Sequence, residues 1–167
     1  MRKFPIVIQY DSMQCGIACL QMVCKYFGRE YSSYSLSKLC FATTEGVSLL
    51  SINEVANILG LHTLCAKTTI DRLTVAPLPC ILHWNQNHFV VLYKVKKGKK
   101  FYIADPGKGL VSYGLDEFKK HWVSTKSNRE DKGIAMFLET TPVFYTYKIQ
   151  KEENVKGECK LNCVKLQ

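Results

Sequence analysis

Three cysteines fall within ten positions of "QYDSMQCGIACLQMVCKYFG", residues 9–28, and each use of such a cluster makes a different demand. A metal site needs the three sulfurs to converge. On a helix at ~100° per residue, Cys15 and Cys19 share a face while Cys24 points to roughly the opposite side. Cys80, His83 and His88 in "CILHWNQNH" are split by strand alternation and match no zinc spacing. No metal and no cofactor is therefore expected. A disulfide framework needs an oxidising compartment. "MRKFPIVIQYDSMQC" has too short an apolar run for a signal peptide, so a cytosolic chain with reduced thiols is expected.

One working thiol is the remaining use, and Cys15 has the setting for it. It falls in the first turn of a helix capped by Asp11 or Ser12, where unpaired N–H groups and the helix dipole favour a negative sulfur. Gln9, six residues upstream, carries an amide donor for an oxyanion. Gly16 lets a substrate backbone come close. Cys19, Cys24, Cys40, Cys65 and Cys80 lie in apolar runs and are expected to pack as small hydrophobes.

A nucleophile needs a base and a group to orient it. His88 opens the run "HFVVLYKV" after the polar "NQN", at the mouth of a strand. His83 is its competitor, although a position between Leu82 and Trp84 favours burial. His62 and His121 have no comparable context. Asp105 ends the next strand, "FYIADP", before a proline. An antiparallel hairpin turning at residues 97 and 98 would bring the start of the first strand beside the end of the second. His88 and Asp105 then become neighbours, with Asp105 orienting the imidazole.

The elements that must hold these residues come in two blocks. "DSMQCGIACLQMVCKYFG", "YSLSKLCF" and "SLLSINEVANILG" read as helices, the first stopped by Gly28 and the third capped by Ser48 or Ser51 and stopped by Gly60. Afterwards "HTLCAKTT", "APLPCILHW", "HFVVLYKVKK", "KKFYIADP" and "GIAMFLET" read as strands, with "GLDEFKKHW" a short helix. Helices followed by a mostly antiparallel sheet give an α+β class. Residues 1–141 form the expected domain. Residues 142–167, with Cys159 and Cys163, read as linker or tail.

Composition sets the outer bounds. At 167 residues and 47% hydrophobic, the chain can bury one substantial core. A net charge of +9 includes "KVKKGKK" at 94–100, which reads as a solvated hairpin tip. The aromatics do not interleave with that run, so nucleic acid is not expected as a partner. No window approaches ~18 consecutive apolar residues.

The segment "QYDSMQCGIACLQM" resembles the start of the bacteriocin-processing double-glycine peptidases, papain-like cysteine peptidases that usually form the N-terminal domain of an ABC exporter. "PCILHWNQNHFVVLYKV" resembles their histidine block and "FYIADPGKG" their aspartate block, and the match runs from about Ile8 to Pro142. Gln14 departs from the acidic residue that many relatives carry before the cysteine. The resemblance implies Cys15 as nucleophile, His88 as base, Asp105 as its partner and Gln9 as oxyanion donor. It implies cleavage of a precursor's leader after Gly-Gly, with Trp84 as a wall of the narrow cleft. The leader in such systems docks as an amphipathic helix, by apolar contacts and charge that suit a basic domain. Transmembrane and ATP-binding parts of the exporter are the implied partners, on the same chain or a separate one. "TPVFYTYK" resembles the junction to them, so the chain reads as an excised domain or a stand-alone protein at the cytoplasmic side of the bacterial plasma membrane. A silent module that only captures the leader is the alternative.

Overall fold

Asp11 accepts the Met13 N–H at 3.1 Å and so caps a 3-10 turn, Ser12–Gln14, that runs directly into helix α1, Cys15–Tyr26. The computed structural model describes residues 3–40, 47–127 and 130–149. Helix α1 is buried nearly all round, from Cys15 to Cys24 with Gln21 as the exception, because other elements enclose it. It ends at Gly28, whose φ of +94° suits glycine. Helix α2, Ser33–Leu39, is capped by the Ser32 hydroxyl. Helix α3, Leu49–Ile58, is capped by the Ser48 hydroxyl, which accepts the Ser51 N–H at 3.1 Å.

The remaining elements are β1 (Leu61–Thr69), α4 (Ile70–Val75), β2 (Cys80–Trp84), β3 (His88–Lys96), β4 (Lys100–Asp105), β5 (Gly109–Gly114), α5 (Leu115–Trp122), β6 (Thr125–Ser127), β7 (Glu130–Thr140) and α6 (Pro142–Thr146). The strands form one antiparallel sheet in the order β1-β7-β2-β3-β4-β5, with β6 paired to the start of β7. The architecture is α+β, with helices packed on an antiparallel sheet, as expected.

Both faces of the sheet are covered, which explains the nearly continuous apolar strands. Ile81 of β2 and Val91 of β3 are paired and face α1 and α3. The neighbouring pairs, Cys80 with Leu92 and Leu82 with Val90, face α4 and α5. Each strand thus feeds two cores by the period-two alternation of its side chains.

The segment after Thr141 differs from expectation where it is described. Phe144 of α6 is wholly buried, and Tyr147 and Ile149 pack against the same core. The Arg29 guanidinium donates to the carbonyls of Tyr145 and Tyr147 at 2.7 and 2.5 Å. A side chain on Gly60 would collide with the Val143–Phe144 backbone. Residues 142–149 are therefore packed with the domain and do not behave as a linker. Cys159 and Cys163 lie outside the described residues.

Candidate active site

Three elements meet at the site. Cys15 is the first residue of α1, directly after the Ser12–Gln14 turn. His88 is the first residue of β3 and Asp105 the last of β4. The hairpin between them turns at Lys97 and Gly98, with Lys96 opposite Lys100. A register shift between Leu92 and Lys94 leaves Val91 opposite Ala104. Asp105 then falls one step beyond that pair, within diagonal reach of His88.

The contact is made. His88 Nε2 lies 2.8 Å from Asp105 Oδ1, and the Gly107 N–H donates to the same oxygen at 2.8 Å. Asp105 is 2% exposed and the His88 side chain 21%. Cys15 stands near enough to the His88 ring to raise the imidazole's proton affinity. With Nε2 turned to Asp105, Nδ1 is the nitrogen left for the sulfur. Imidazole and carboxylate are thus hydrogen-bonded, with the Cys15 sulfur beside the ring.

The electrostatics follow the geometry. Burial pulls the His88 imidazole down, but hydrogen bonds to Asp105 and Cys15, and their charges, raise it to about 9. At neutral pH the ring therefore holds its proton. Burial pushes Asp105 up, but the His88 and Gly107 hydrogen bonds and the charges of His88 and Lys108 bring it below its ordinary value. Gln9 is tied to the same corner, because its N–H donates to the Pro106 carbonyl at 3.0 Å. Its side-chain Oε1 is buried without a hydrogen-bond partner. Turning that amide over would put a donor in the same buried place.

Residues 3–127 match the family model described as the peptidase C39 family. The chain belongs to this family. The C39 chain is 34% identical over 121 residues to the colicin V secretion/processing ATP-binding protein CvaB of Escherichia coli, a match covering 72% of this chain and 17% of the relative. It is 35% identical over 121 residues to the probable microcin-H47 secretion/processing ATP-binding protein MchF of Escherichia coli, with the same 72% and 17% coverage. It thus spans about a sixth of the length of these relatives. Among solved structures it resembles a double glycine motif protease from an AMS/PCAT transporter, crystallised with the leader peptide. That pair is 32% identical with a TM-score of 0.71, covering 83% of this chain and 93% of the other. The peptidase domain of Streptococcus ComA superposes with a TM-score of 0.72 at 26% identity, covering 83% of this chain and all of the other.

Within this C39 domain, other expected site residues stand elsewhere or act differently. Trp84 is 1% exposed and lies in the core beneath α5, between Tyr113, Phe118 and His121. A ring so enclosed forms no wall of an open cleft. Gly16 is buried because α1 packs closely there: a Cβ would come within 2.5 Å of Ile52 Cδ1. That packing against α3 gives the glycine a structural reason. His83 packs on Phe89 at 5.3 Å, and burial lowers its imidazole despite a hydrogen bond with the Gln86 backbone. It has no part in the Cys15–His88–Asp105 line.

Cys19, Cys24, Cys40 and Cys80 are buried as expected, but Cys65 is exposed on β1. Burial raises all five thiols, Cys24 to about 12, so none is set up as a nucleophile. Gly107 escaped the sequence reading, although the glycine after Asp-Pro was its signal. A cavity of about 410 Å³ is lined by Phe4, Tyr26 and Tyr93, and one of about 380 Å³ by Leu64, Ala66 and Phe137. Neither touches Cys15, His88 or Asp105.

Proposed function

We propose that this domain is a cysteine endopeptidase that cuts the leader of a peptide precursor after two consecutive glycines, as a step coupled to export through an ABC transporter. The observation that carries the reading is the Cys15–His88–Asp105 line, with His88 Nε2 and Asp105 Oδ1 2.8 Å apart. The double glycine protease crystallised with a leader peptide supports the substrate class. The names of the secretion/processing relatives support the link to export. Among the described residues no helix is long and apolar enough to cross a membrane.

The reaction is acyl transfer in two halves. Cys15 Sγ attacks the carbonyl carbon of the second glycine, and an S–C bond forms. Gln9 Nε2 and the Cys15 N–H donate to the oxyanion. The C–N bond breaks as His88 gives its Nδ1 proton to the leaving amine. Water then yields a proton to His88, its oxygen attacks the thioester, and the C–S bond breaks. Asp105 keeps the ring oriented and stabilises its cation throughout.

Incubation with a synthetic leader containing Gly-Gly, read by mass spectrometry, tests this. Cleavage after the second glycine is expected. Binding without cleavage by the domain, alone and joined to its transporter, would reduce it to a capture module.

A further inference from the structure

The turn before the catalytic histidine is held by a residue that the triad leaves unused. Residues 85–87 link β2 to β3, and Trp84 and His88 form the last registered pair before it. Asn85 and Gln86 have φ of +49° and +62°, the two-residue left-handed pattern of a type I′ hairpin. Asparagine tolerates that region and glutamine much less, so the turn needs outside support.

Two histidines supply it. His83 stands beside the Gln86 backbone, near enough for it to raise the imidazole's proton affinity. From the other side, the Asn85 N–H donates to the His121 carbonyl at 2.9 Å, while His121 Nδ1 and Asn85 Oδ1 are 2.8 Å apart. The His121 ring also stacks on Trp84, with centroids 5.1 Å apart and planes 18° apart. His121 belongs to the last turn of α5, which Phe118 and Trp122 anchor in the core. Helix α5 and helix α1 serve opposite faces of the sheet.

We propose that His121 is a positioning residue for His88: its carbonyl and its ring clamp the Asn85–Asn87 turn, so that α5 fixes where the base stands relative to Cys15. This rests on the peptidase reading of the triad. The ring's hydrogen bond and its stacking are separable. His121→Phe keeps an aromatic ring on Trp84 and loses Nδ1. His121→Asn places an amide nitrogen near the Nδ1 position and loses the stack.

The test reads two quantities. One is the titration of the His88 ring, followed by NMR in the protein without substrate. The other is kcat and KM on a synthetic Gly-Gly leader. In His121→Phe, kcat should fall roughly three- to tenfold with KM unchanged, as expected for a slightly misplaced reacting group. The His88 midpoint should move down from near 9, by at least about 0.5, as its contacts loosen. His121→Asn should restore most of both. Wild-type kcat and titration in His121→Phe would overturn the proposal, as would a lowered melting temperature with both unchanged. Should His121→Phe fail to fold, Asn85→Gly removes the same hydrogen bond while favouring the turn, and the same readings decide. Should the wild type cut no leader, the peptidase reading fails, while the His88 titration still judges the clamp.

Discussion

The two faces of the sheet are packed from different materials. Under α1, α2 and α3 the core is mostly aliphatic and rich in sulfur, with Cys19, Cys24, Cys40, Leu20, Met22 and Leu36 beside the buried rings of Phe4, Phe89 and Phe144. Under α5 it is aromatic: Phe101 stacks on Phe118 at 4.1 Å, and Trp84 and Trp122 flank them. Small residues let α1 sink close to the strands, and Gly16 has room for no side chain. Large flat rings instead fix a spacing and resist shear. The first face brings Cys15, the proposed nucleophile, to the strand ends. The second holds the platform, including the turn that carries His88. Chemistry and rigidity are divided between faces, and substitutions should separate them.

The largest expected effect is on the α1 face. Cys15→Ala should lower turnover of a Gly-Gly leader by at least about a thousandfold, since it removes the atom that bonds to the substrate. The protein should still unfold cooperatively near the wild-type temperature. Phe118→Ala is its counterpart on the α5 face. Phe118 is fully buried, so its loss should cost about 3–5 kcal/mol in urea unfolding, while the folded fraction still cuts. If both variants lost activity and stability together, the division between faces would be wrong.

Asp105→Asn should have a smaller effect, about a hundredfold in kcat, because it leaves the sulfur and the base in place. It also removes the hydrogen bond and charge that raise His88, so the alkaline limb of the pH–rate profile should move down from near 9. An unchanged profile from pH 6 to 9 would remove Asp105 from its orienting role. Stability should respond in the matching direction. His88 is raised in the folded state, so its contribution is full below its ordinary value of 6.5 and is lost as pH rises through about 9. The stability advantage of wild type over His88→Asn, read by urea unfolding, should therefore shrink across that window. Asp105 is lowered in the folded state, so its own contribution is lost only as pH falls below its ordinary value of 3.8.

The placement of Cys15, His88 and Asp105 at element ends was legible in the sequence. Cys15 follows a capped turn, His88 follows a polar turn, and Asp105 precedes a proline. Helix limits were legible for the same local reason, as at Ser48 and Gly60. Trp84 was misjudged because "CILHW" is apolar on both sides of the strand, and periodicity cannot say which face a residue takes when both are buried. Cys65 was misjudged from its apolar neighbours, on a strand exposed at several positions at the end of the sheet order. The packing of 142–149 rests on a few side chains, Phe144 above all, and on Arg29 more than 110 residues earlier. No local pattern announces such a contact. The short α4 and β5 fall in the same class, since their neighbours hold them more than their own propensities do.

Gly16 offers the finest test of how the α1 face works. Two readings of this glycine differ: room for a substrate backbone, or room for α3. A Cβ there would meet Ile52 Cδ1 at 2.5 Å, Ile52 Cγ1 at 3.0 Å and Phe89 Cδ2 at 3.5 Å. Ile52 is 1% exposed, so its end can move only into filled space. Gly16→Ala should therefore cost about 1–2 kcal/mol through overpacking. Ile52→Val deletes the atom that is struck. Added to Gly16→Ala, it should cost less than it does in the wild type, a favourable coupling between neighbours. Were the glycine kept for substrate instead, Gly16→Ala would raise KM with little change in stability. Ile52→Val would then rescue nothing. Because Gly16 adjoins Cys15, a partial loss of kcat that Ile52→Val repairs would show that α1 must pack this closely to aim its sulfur.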